Sequence, residues 1–186
     1  MTMTQAPPPS PEAMFRRLAD IERRARLGST GLPHYHRAEE NWDGVLFMLG
    51  NISLLAPLDQ VKEILNLPHT VTRVPGAKSW VLGIANMRGT LLPVIDLGAF
   101  LFERPTRQTP RSRVLVVSHE GFRSGLLVGE TVAMRHFWLR ERVPTETGGS
   151  RLLGFLSFAF LRDNHRWPVF NVARLLADPE FQAAAA

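Results

Sequence analysis

Residues 74–97, VPGAKSWVLGIANMRGTLLPVIDL, are the stretch that decides the fold. Two short apolar runs, Trp80–Ala85 and Leu91–Ile95, lie on either side of the segment 86–89. Short apolar runs that are separated by turn residues are typical of paired β-strands, so this pattern predicts a β-hairpin. Gly89 follows Arg88 in the turn, where a glycine tolerates the positive φ that other residues adopt only at a cost.

The polar residues and the proline of this stretch are best explained by scaffold roles. Asn86 and Asp96 are short polar side chains at strand ends, so we expect them to hold the turns through hydrogen bonds to nearby backbone. Pro93 lies inside the second strand and cannot donate a ladder hydrogen bond. We therefore expect it at an edge or bulge position.

The chain on both sides of the hairpin continues as short β-rich runs. Val45–Leu49 and Ile52–Ala56 flank Gly50-Asn51, which suits a tight hairpin turn. A short apolar segment follows at Val61–Leu65. Further strands are expected at Val114–Ser118, Phe122–Val128, Val132–Leu139, Leu152–Phe160 and Trp167–Phe170, with short helices at Leu97–Phe102 and Val172–Ala177 and an exposed loop over residues 140–150. About nine short strands without long helices between them predict a mainly β fold, a sandwich or small barrels, and disfavour a doubly wound α/β fold.

The two ends of the chain differ from this β-rich middle. Residues 1–42 are expected to form an N-terminal extension with a disordered start, an amphipathic helix at about 11–27 and an irregular linker. The apolar stripe of that helix packs on the body of the same protein, or it docks a partner or an anionic membrane surface. The β domain is expected to span residues 43–179, and residues 180–186 to form a tail.

Composition limits the environment and the partners. The chain has 186 residues, a formal charge of +5 and no cysteine, which excludes disulfides and thiolate metal sites. No apolar run reaches the roughly 18–20 residues that span a bilayer, so we expect a cytoplasmic protein without direct membrane insertion.

A run of arginines keeps one alternative function open. Four of them lie between residues 104 and 113 with no acid among them: Arg104, Arg107, Arg111 and Arg113. They fit a solvated connection or a phosphate-binding loop. Together with the four tryptophans they leave a nucleic-acid-binding β-barrel protein as an alternative, although the modest charge leads us to expect no nucleic-acid partner.

Motifs for catalysis are missing from the sequence. There is no nucleophile elbow, no phosphate-cradling loop and no dinucleotide fingerprint. His119-Glu120 begins like a zinc-protease motif, but Arg123 stands where the second histidine belongs, and His34 and His36 lack a third ligand nearby. We predict a protein that is not an enzyme, without catalytic, cofactor-binding or metal-binding residues. A hydrolase with scattered site residues remains an alternative.

The central stretch closely resembles the signature of the CheW family, P-x-x-x-x-G-x-x-N-x-R-G-x-x-x-P-V-x-D-L. The matching residues are Gly83, Asn86, Arg88, Gly89, Pro93, Val94, Asp96 and Leu97. Residues 61–64, VKEI, resemble the V-x-E-I segment of the family, and residues 125–132 resemble its G-x-x-V-D-x-V segment with Gly129 and Glu130 departing from it. The resemblance covers residues 43 to about 178, and the stretches 42–45 and 72–76 look most like the PilI-type adaptors of twitching-motility systems.

The resemblance implies a fold, a function and a set of partners. The fold would be two small SH3-like β-barrels of five strands each, packed together with a groove between them. The function would be that of a chemotaxis adaptor, which binds the signalling tip of a methyl-accepting chemoreceptor and the regulatory domain of a CheA-type histidine kinase. A PilI-type member would serve type IV pilus twitching motility in membrane-associated receptor arrays, and a flagellar chemotaxis adaptor is the alternative.

The resemblance also implies which residues bind the receptor. Glu63 and Arg88 would pair beside the receptor-binding groove, and we expect this pair to be partly exposed. Val61 would contact the receptor, although a buried structural valine is nearly as well supported. Ile64, Met87 and Leu91 would line the groove, and Gly83 joins Asn86, Gly89, Pro93 and Asp96 in the scaffold.

Overall fold

The computed structural model of the chain describes residues 41–146 and 148–185. The helix expected at about 11–27 lies outside these ranges. The strands of the described part are β1 Asn41–Leu49, β2 Ile52–Pro57, β3 Val61–Asn66, β4 Val81–Met87, β5 Thr90–Asp96, β6 Arg113–His119, β7 Phe122–Val128, β8 Glu130–Trp138, β9 Arg142–Val143, β10 Leu156–Arg162 and β11 His165–Phe170. The helices are α1 Leu97–Phe102, α2 Arg151–Gly154, α3 Val172–Leu176 and α4 Pro179–Ala185, and short 3₁₀ turns lie at Leu58–Gln60 and Leu139–Glu141.

The predicted mainly β fold and its hairpins are confirmed, and three expected segments differ. The loop expected over residues 140–150 contains the short strand β9, and the strand expected from Leu152 begins at Leu156 because α2 comes first. Residues expected to form a tail belong to α4, whose Phe181 is fully buried, with its ring centroid 5.3 Å from that of Phe100. No helix of the described residues is long and apolar enough to cross a membrane.

The strands form two sheets that do not follow the order of the chain. One sheet has six strands in the order β8-β1-β2-β11-β10-β9, and the other has five in the order β3-β6-β7-β5-β4. The first therefore joins the N-terminal hairpin of the domain to its C-terminal third, and the second is built from the middle. The resemblance implied five strands in each unit, and the sixth strand is the two-residue β9.

Both faces of the central strand β6 are buried, which explains its nearly continuous apolar run in the sequence. Along β6, Leu115 and Val117 belong to a core that both sheets share, whereas Val114 and Val116 belong to a core of the five-stranded sheet alone. A third core, around Phe160, belongs to the six-stranded sheet. Alternate residues of one strand thus stabilise different cores, because successive side chains point to opposite faces.

Arg162 links two strands that lie near opposite edges of the six-stranded sheet. Arg162 on β10 donates to Glu141 at 2.8 Å and 2.5 Å, and to the carbonyl oxygen of His136 on β8 at 2.9 Å. Its guanidinium carbon also lies 4.5 Å from the centroid of the Phe137 ring. Because β8 and β10 lie near opposite edges of the sheet, these contacts hold it in a curve. The hydrogen bond from Arg162 lowers the pKa of Glu141 below its ordinary value of 4.5.

Asp96 fixes the end of the central hairpin. Its side chain is 2% exposed and caps α1 by accepting from Ala99 N at 3.1 Å. It also accepts from Thr106 N at 2.9 Å and from Thr106 Oγ1 at 2.6 Å, and thereby ties the arginine-rich loop to the sheet. The expected turn role of Asp96 is confirmed and extends to a segment ten residues away.

Pro93 was expected at an edge or bulge position, and the edge position is wrong, because β5 lies inside its sheet between β7 and β4. The bulge of the β4–β5 pairing lies between Val81 and Gly83, directly beside the pair of Ile84 and Pro93. Ile84, which pairs with Pro93, uses its own N–H and C=O to bond Thr72, so this pair has no hydrogen bonds between its members. The nitrogen of Pro93 therefore faces β7, where pairing begins only at Val94. A proline is tolerated here because the strand needs no donor at this position.

We predict that Asp96→Ala lowers the free energy of unfolding by about 2–4 kcal/mol, because it removes a helix cap and leaves the half-buried Thr106 donors without an acceptor. Urea denaturation measures the change. Asn171→Ala is the matched control, since Asn171 caps α3 through a single bond to Arg174 N at 2.8 Å and should cost about 1 kcal/mol. Equal costs for the two variants would contradict the wider role of Asp96.

We predict that Glu141→Gln destabilises the protein at neutral pH and that its difference from the wild type shrinks in acid. The folded pKa of Glu141 is depressed, so its contribution is complete above about pH 4.5 and is lost as the pH falls through the folded value. Urea titrations between about pH 7 and pH 3 measure this. Glu63→Gln, at a more exposed pair, should change the free energy of unfolding at neutral pH by no more than about 1 kcal/mol, and a pH-independent cost of Glu141→Gln would contradict the assignment.

Candidate docking surface

The β4–β5 hairpin presents an apolar outer face to solvent. Its inward residues, among them Met87 and Leu92, belong to the core of the five-stranded sheet. Asn86 pairs directly with Leu91, and Ile84 lies two residues before Asn86 on the same face. Leu91 is 70% exposed and Ile84 is 40% exposed, so the outer face is an unpartnered apolar surface.

A short extended segment lies beside this face and walls it on one side. Thr72 N donates to Ile84 O at 2.9 Å and Ile84 N donates to Thr72 O at 2.8 Å, which holds the segment against the edge of β4. The approach depends on Gly83, which has a φ of 141° at a bulge in the β4–β5 pairing. A Cβ at Gly83 would overlap Thr72 O. The glycine of the signature is therefore required by the close passage of the neighbouring backbone.

The hairpin and this segment enclose an open groove of about 780 Å³. Its lining residues are Pro68, His69, Thr70, Thr72, Ile84, Asn86 and Leu91. Leu91 is the one residue of the predicted receptor-binding set among them. Ile84 and the Pro68–Thr72 wall were not predicted. The alternation of Ile84 with Asn86 could have revealed Ile84, whereas no local signal places the wall.

A side-chain hydrogen bond within the turn stabilises the β4–β5 hairpin. Arg88 and Gly89 both have positive φ, of 51° and 86°, and Asn86 Oδ1 accepts from Gly89 N at 2.8 Å. The predicted turn hydrogen bond of Asn86 and the positive φ of Gly89 are both confirmed. The positive φ of Arg88 was not predicted.

Arg88, in the turn of the hairpin, forms an ion pair with Glu63, and neither residue is part of the groove lining. Arg88 Nη1 lies 3.2 Å from Glu63 Oε2, with the two side chains 75% and 37% exposed. Glu63 Oε2 is itself buried and accepts no aligned hydrogen bond, so the contact is an ion pair without a directed N–H. Such a partly exposed pair contributes about 0–1 kcal/mol to stability. The ion pair joins β3 to the turn after β4. These two strands are the opposite edges of the five-stranded sheet.

Three residues predicted for the groove lie elsewhere. Val61 is 9% exposed and belongs to the core that both sheets share, so we remove it from the proposed surface. Met87 is 6% exposed and points into the core of its own sheet, because it is one residue out of phase with Asn86. Ile64 is 41% exposed on β3, outside the groove lining.

The chemistry of the groove is that of a binding surface. Apolar side chains line it together with a threonine wall and the Asn86 amide. No cluster of three or more potential metal ligands occurs among the described residues. A surface of this kind can bury an apolar side chain of a partner and can donate or accept a few hydrogen bonds.

Comparisons with known proteins agree with this geometry. The family model of the CheW-like domain matches residues 43–180. PilI of Pseudomonas aeruginosa is 42% identical over 160 residues, which cover 84% of this chain and 88% of that protein. The chemotaxis protein CheW of Helicobacter pylori is 30% identical over 115 residues, covering 62% of this chain and 68% of that protein. The crystal structure of the scaffolding protein TtCheW from Thermoanaerobacter tengcongensis has the same fold, with a TM-score of 0.68 at 20% identity over 81% of this chain and 96% of that chain.

The family match spans both sheets, and the family signature lies on the hairpin that builds the groove. The chain therefore belongs to the CheW-like domain family of chemosensory scaffold proteins.

Proposed function

We propose that this chain is a non-catalytic adaptor that couples a methyl-accepting chemoreceptor to a CheA-type histidine kinase. The observation that carries the proposal is the apolar groove on the signature hairpin of a CheW-like domain. An adaptor of this kind works in the cytoplasm and is recruited to membrane-associated receptor arrays through its partners. Type IV pilus twitching motility is the proposed output, since identity to PilI is higher and extends over more of the chain than identity to CheW.

The groove suits the receptor rather than a small substrate. It is open, its exposed apolar residues Ile84 and Leu91 lie on the β4–β5 hairpin, and Leu91 is the more exposed of the two. An amphipathic helix that lays its apolar face into such a groove buries side chains against Ile84 and Leu91. The wall formed by Pro68–Thr72 then sets the direction in which that helix lies along the hairpin.

The Arg88–Glu63 pair has a positioning role in this proposal. Its small contribution to folding leaves it free to respond to a partner, and Arg88 can offer unused N–H donors to receptor carbonyls. Ile64 lies next to Glu63 along β3 and is exposed enough to extend the apolar surface beyond the groove. The receptor contact set in this proposal is therefore Glu63, Ile64, Ile84, Arg88 and Leu91.

The nucleic-acid alternative loses most of its support. Each of the four tryptophans is at least half-buried, and Trp42 and Trp167 pack on the core of the six-stranded sheet. Trp138 and Trp80 each lie within 6 Å of an arginine guanidinium, at 4.8 Å and 5.9 Å. Binding of single-stranded nucleic acid needs exposed aromatic rings on which bases stack, and the described tryptophans are engaged in other contacts.

We predict that Leu91→Asp weakens binding of a chemoreceptor tip fragment about 10-fold to 100-fold, because a leucine side chain that becomes buried contributes roughly 1.5–3 kcal/mol. Leu91 is 70% exposed, so the variant should retain the thermal midpoint of the wild type. Isothermal titration with the receptor fragment measures the affinity.

Met134→Asp is the matched control, since Met134 is 53% exposed on β8 of the other sheet. It should bind the receptor fragment as the wild type does. A reconstituted assay then tests the coupling: receptor-containing membranes should alter kinase autophosphorylation only when the adaptor is added. Wild-type receptor affinity of Leu91→Asp would contradict the groove, and unaltered kinase activity with the wild-type adaptor would contradict the coupling.

A further inference from the structure

A second recess lies beside the groove and shares a wall with it. Its volume is about 480 Å³, and Pro68 and His69 line both cavities. Half-buried apolar residues form much of its lining: Leu67, Pro68, Val71, Ala77, Val81 and Leu82. The exposed side chains of Arg73 and Lys78 are its two charged residues, and we call this recess the cationic pocket.

The positive charge of the cationic pocket is not balanced by its neighbours in the chain. No aspartate or glutamate occurs from residue 64 to residue 95, or from residue 104 to residue 119. The two acids that flank the first stretch are engaged, because Glu63 pairs with Arg88 and Asp96 is buried in its hydrogen bonds. Gln108, from the arginine-rich loop, lines the pocket, so a second acid-free segment borders it.

Among the described residues, some surface cations are neutralised by an ion pair and others are not. Arg88, Arg111, Arg151 and Arg162 each pair with a glutamate. Within the described part of the chain, Arg73 and Lys78 form no ion pair. Two cations around an apolar recess, without an internal counter-charge, fit a ligand that brings its own negative charge.

The shape of the region selects an acidic protein segment as that ligand. The pocket continues from the apolar groove through Pro68 and His69, so one extended or helical segment can reach both. Two charges over an apolar lining suit a carboxylate on an aliphatic stem, whereas a nucleic acid needs a longer basic stripe to follow its phosphates. We propose that the segment docked in the groove carries an aspartate or glutamate that enters the cationic pocket and pairs with Arg73 and Lys78. This inference rests on the proposed receptor docking and adds the chemistry by which a cognate receptor is selected.

The test uses the full chain with both cations neutralised, Arg73→Gln together with Lys78→Gln, and a chemoreceptor tip fragment as the probe. The variant should bind about tenfold more weakly than the wild type at low salt and should show a shallower dependence of affinity on salt concentration. Arg104→Gln with Arg107→Gln is the matched control, since it removes the same charge from exposed residues outside the pocket lining. Both double variants should melt as the wild type does, because all four side chains are exposed.

The outcomes separate this inference from the proposed function. If Leu91→Asp weakens receptor binding and the pocket variant does not, the pocket inference is wrong and the groove stands. If neither variant changes the affinity, receptor docking at this surface is itself wrong. If the pocket variant and the Arg104/Arg107 control lose equal receptor affinity, the loss reflects the net charge of the protein, and the pocket inference is wrong. DNA binding that the pocket variant alone abolishes would overturn it in favour of a nucleic-acid ligand.

Discussion

The close passage of Thr72 over Gly83 is the constraint on which the functional surfaces of this protein depend. A glycine without a side chain lets the Thr72 backbone exchange two hydrogen bonds with Ile84 across the edge of β4. That anchor fixes the segment that forms the wall of the groove, and the same segment continues into the lining of the cationic pocket. The bonds to Thr72 also explain why β5 tolerates Pro93 opposite Ile84. One backbone contact thus accounts for two cavities and for two residues of the family signature.

Two of the arginine–glutamate pairs, one in each sheet, show how similar chemistry serves different roles. Arg162 and Glu141 make two directed hydrogen bonds, with side chains 35% and 20% exposed, and this geometry favours a structural clamp. Arg88 and Glu63 are more exposed and lack an aligned hydrogen bond. The first pair stabilises a curved sheet, and the second contributes little to folding, which suits a residue that changes partners when a receptor binds.

The sequence predicts the hairpins well because their turns are local. Gly89 and the Asn86 amide are sufficient to specify the central turn. The turn was expected to span residues 86–89, whereas the strands continue to Met87 and resume at Thr90. Met87, which was expected to line the groove, points into the core in phase with Ala85. A bulge between Val61 and Glu63 also interrupts the alternation of inward and outward side chains along β3. Contacts between distant segments, such as Thr72 with Ile84 and Gln108 with the pocket, leave no local signal in the sequence.

Methyl-detected nuclear magnetic resonance can show whether a partner docks in the groove between Thr72 and the β4–β5 hairpin. The labelled chain is titrated with an unlabelled chemoreceptor tip fragment. We expect the methyl signals of Thr72, Ile84 and Leu91 to shift or broaden on binding, while those of Val132 and Met134, which are also exposed but lie on the other sheet, stay in place. Perturbation of the β8 methyl groups with unchanged signals from the groove would contradict it.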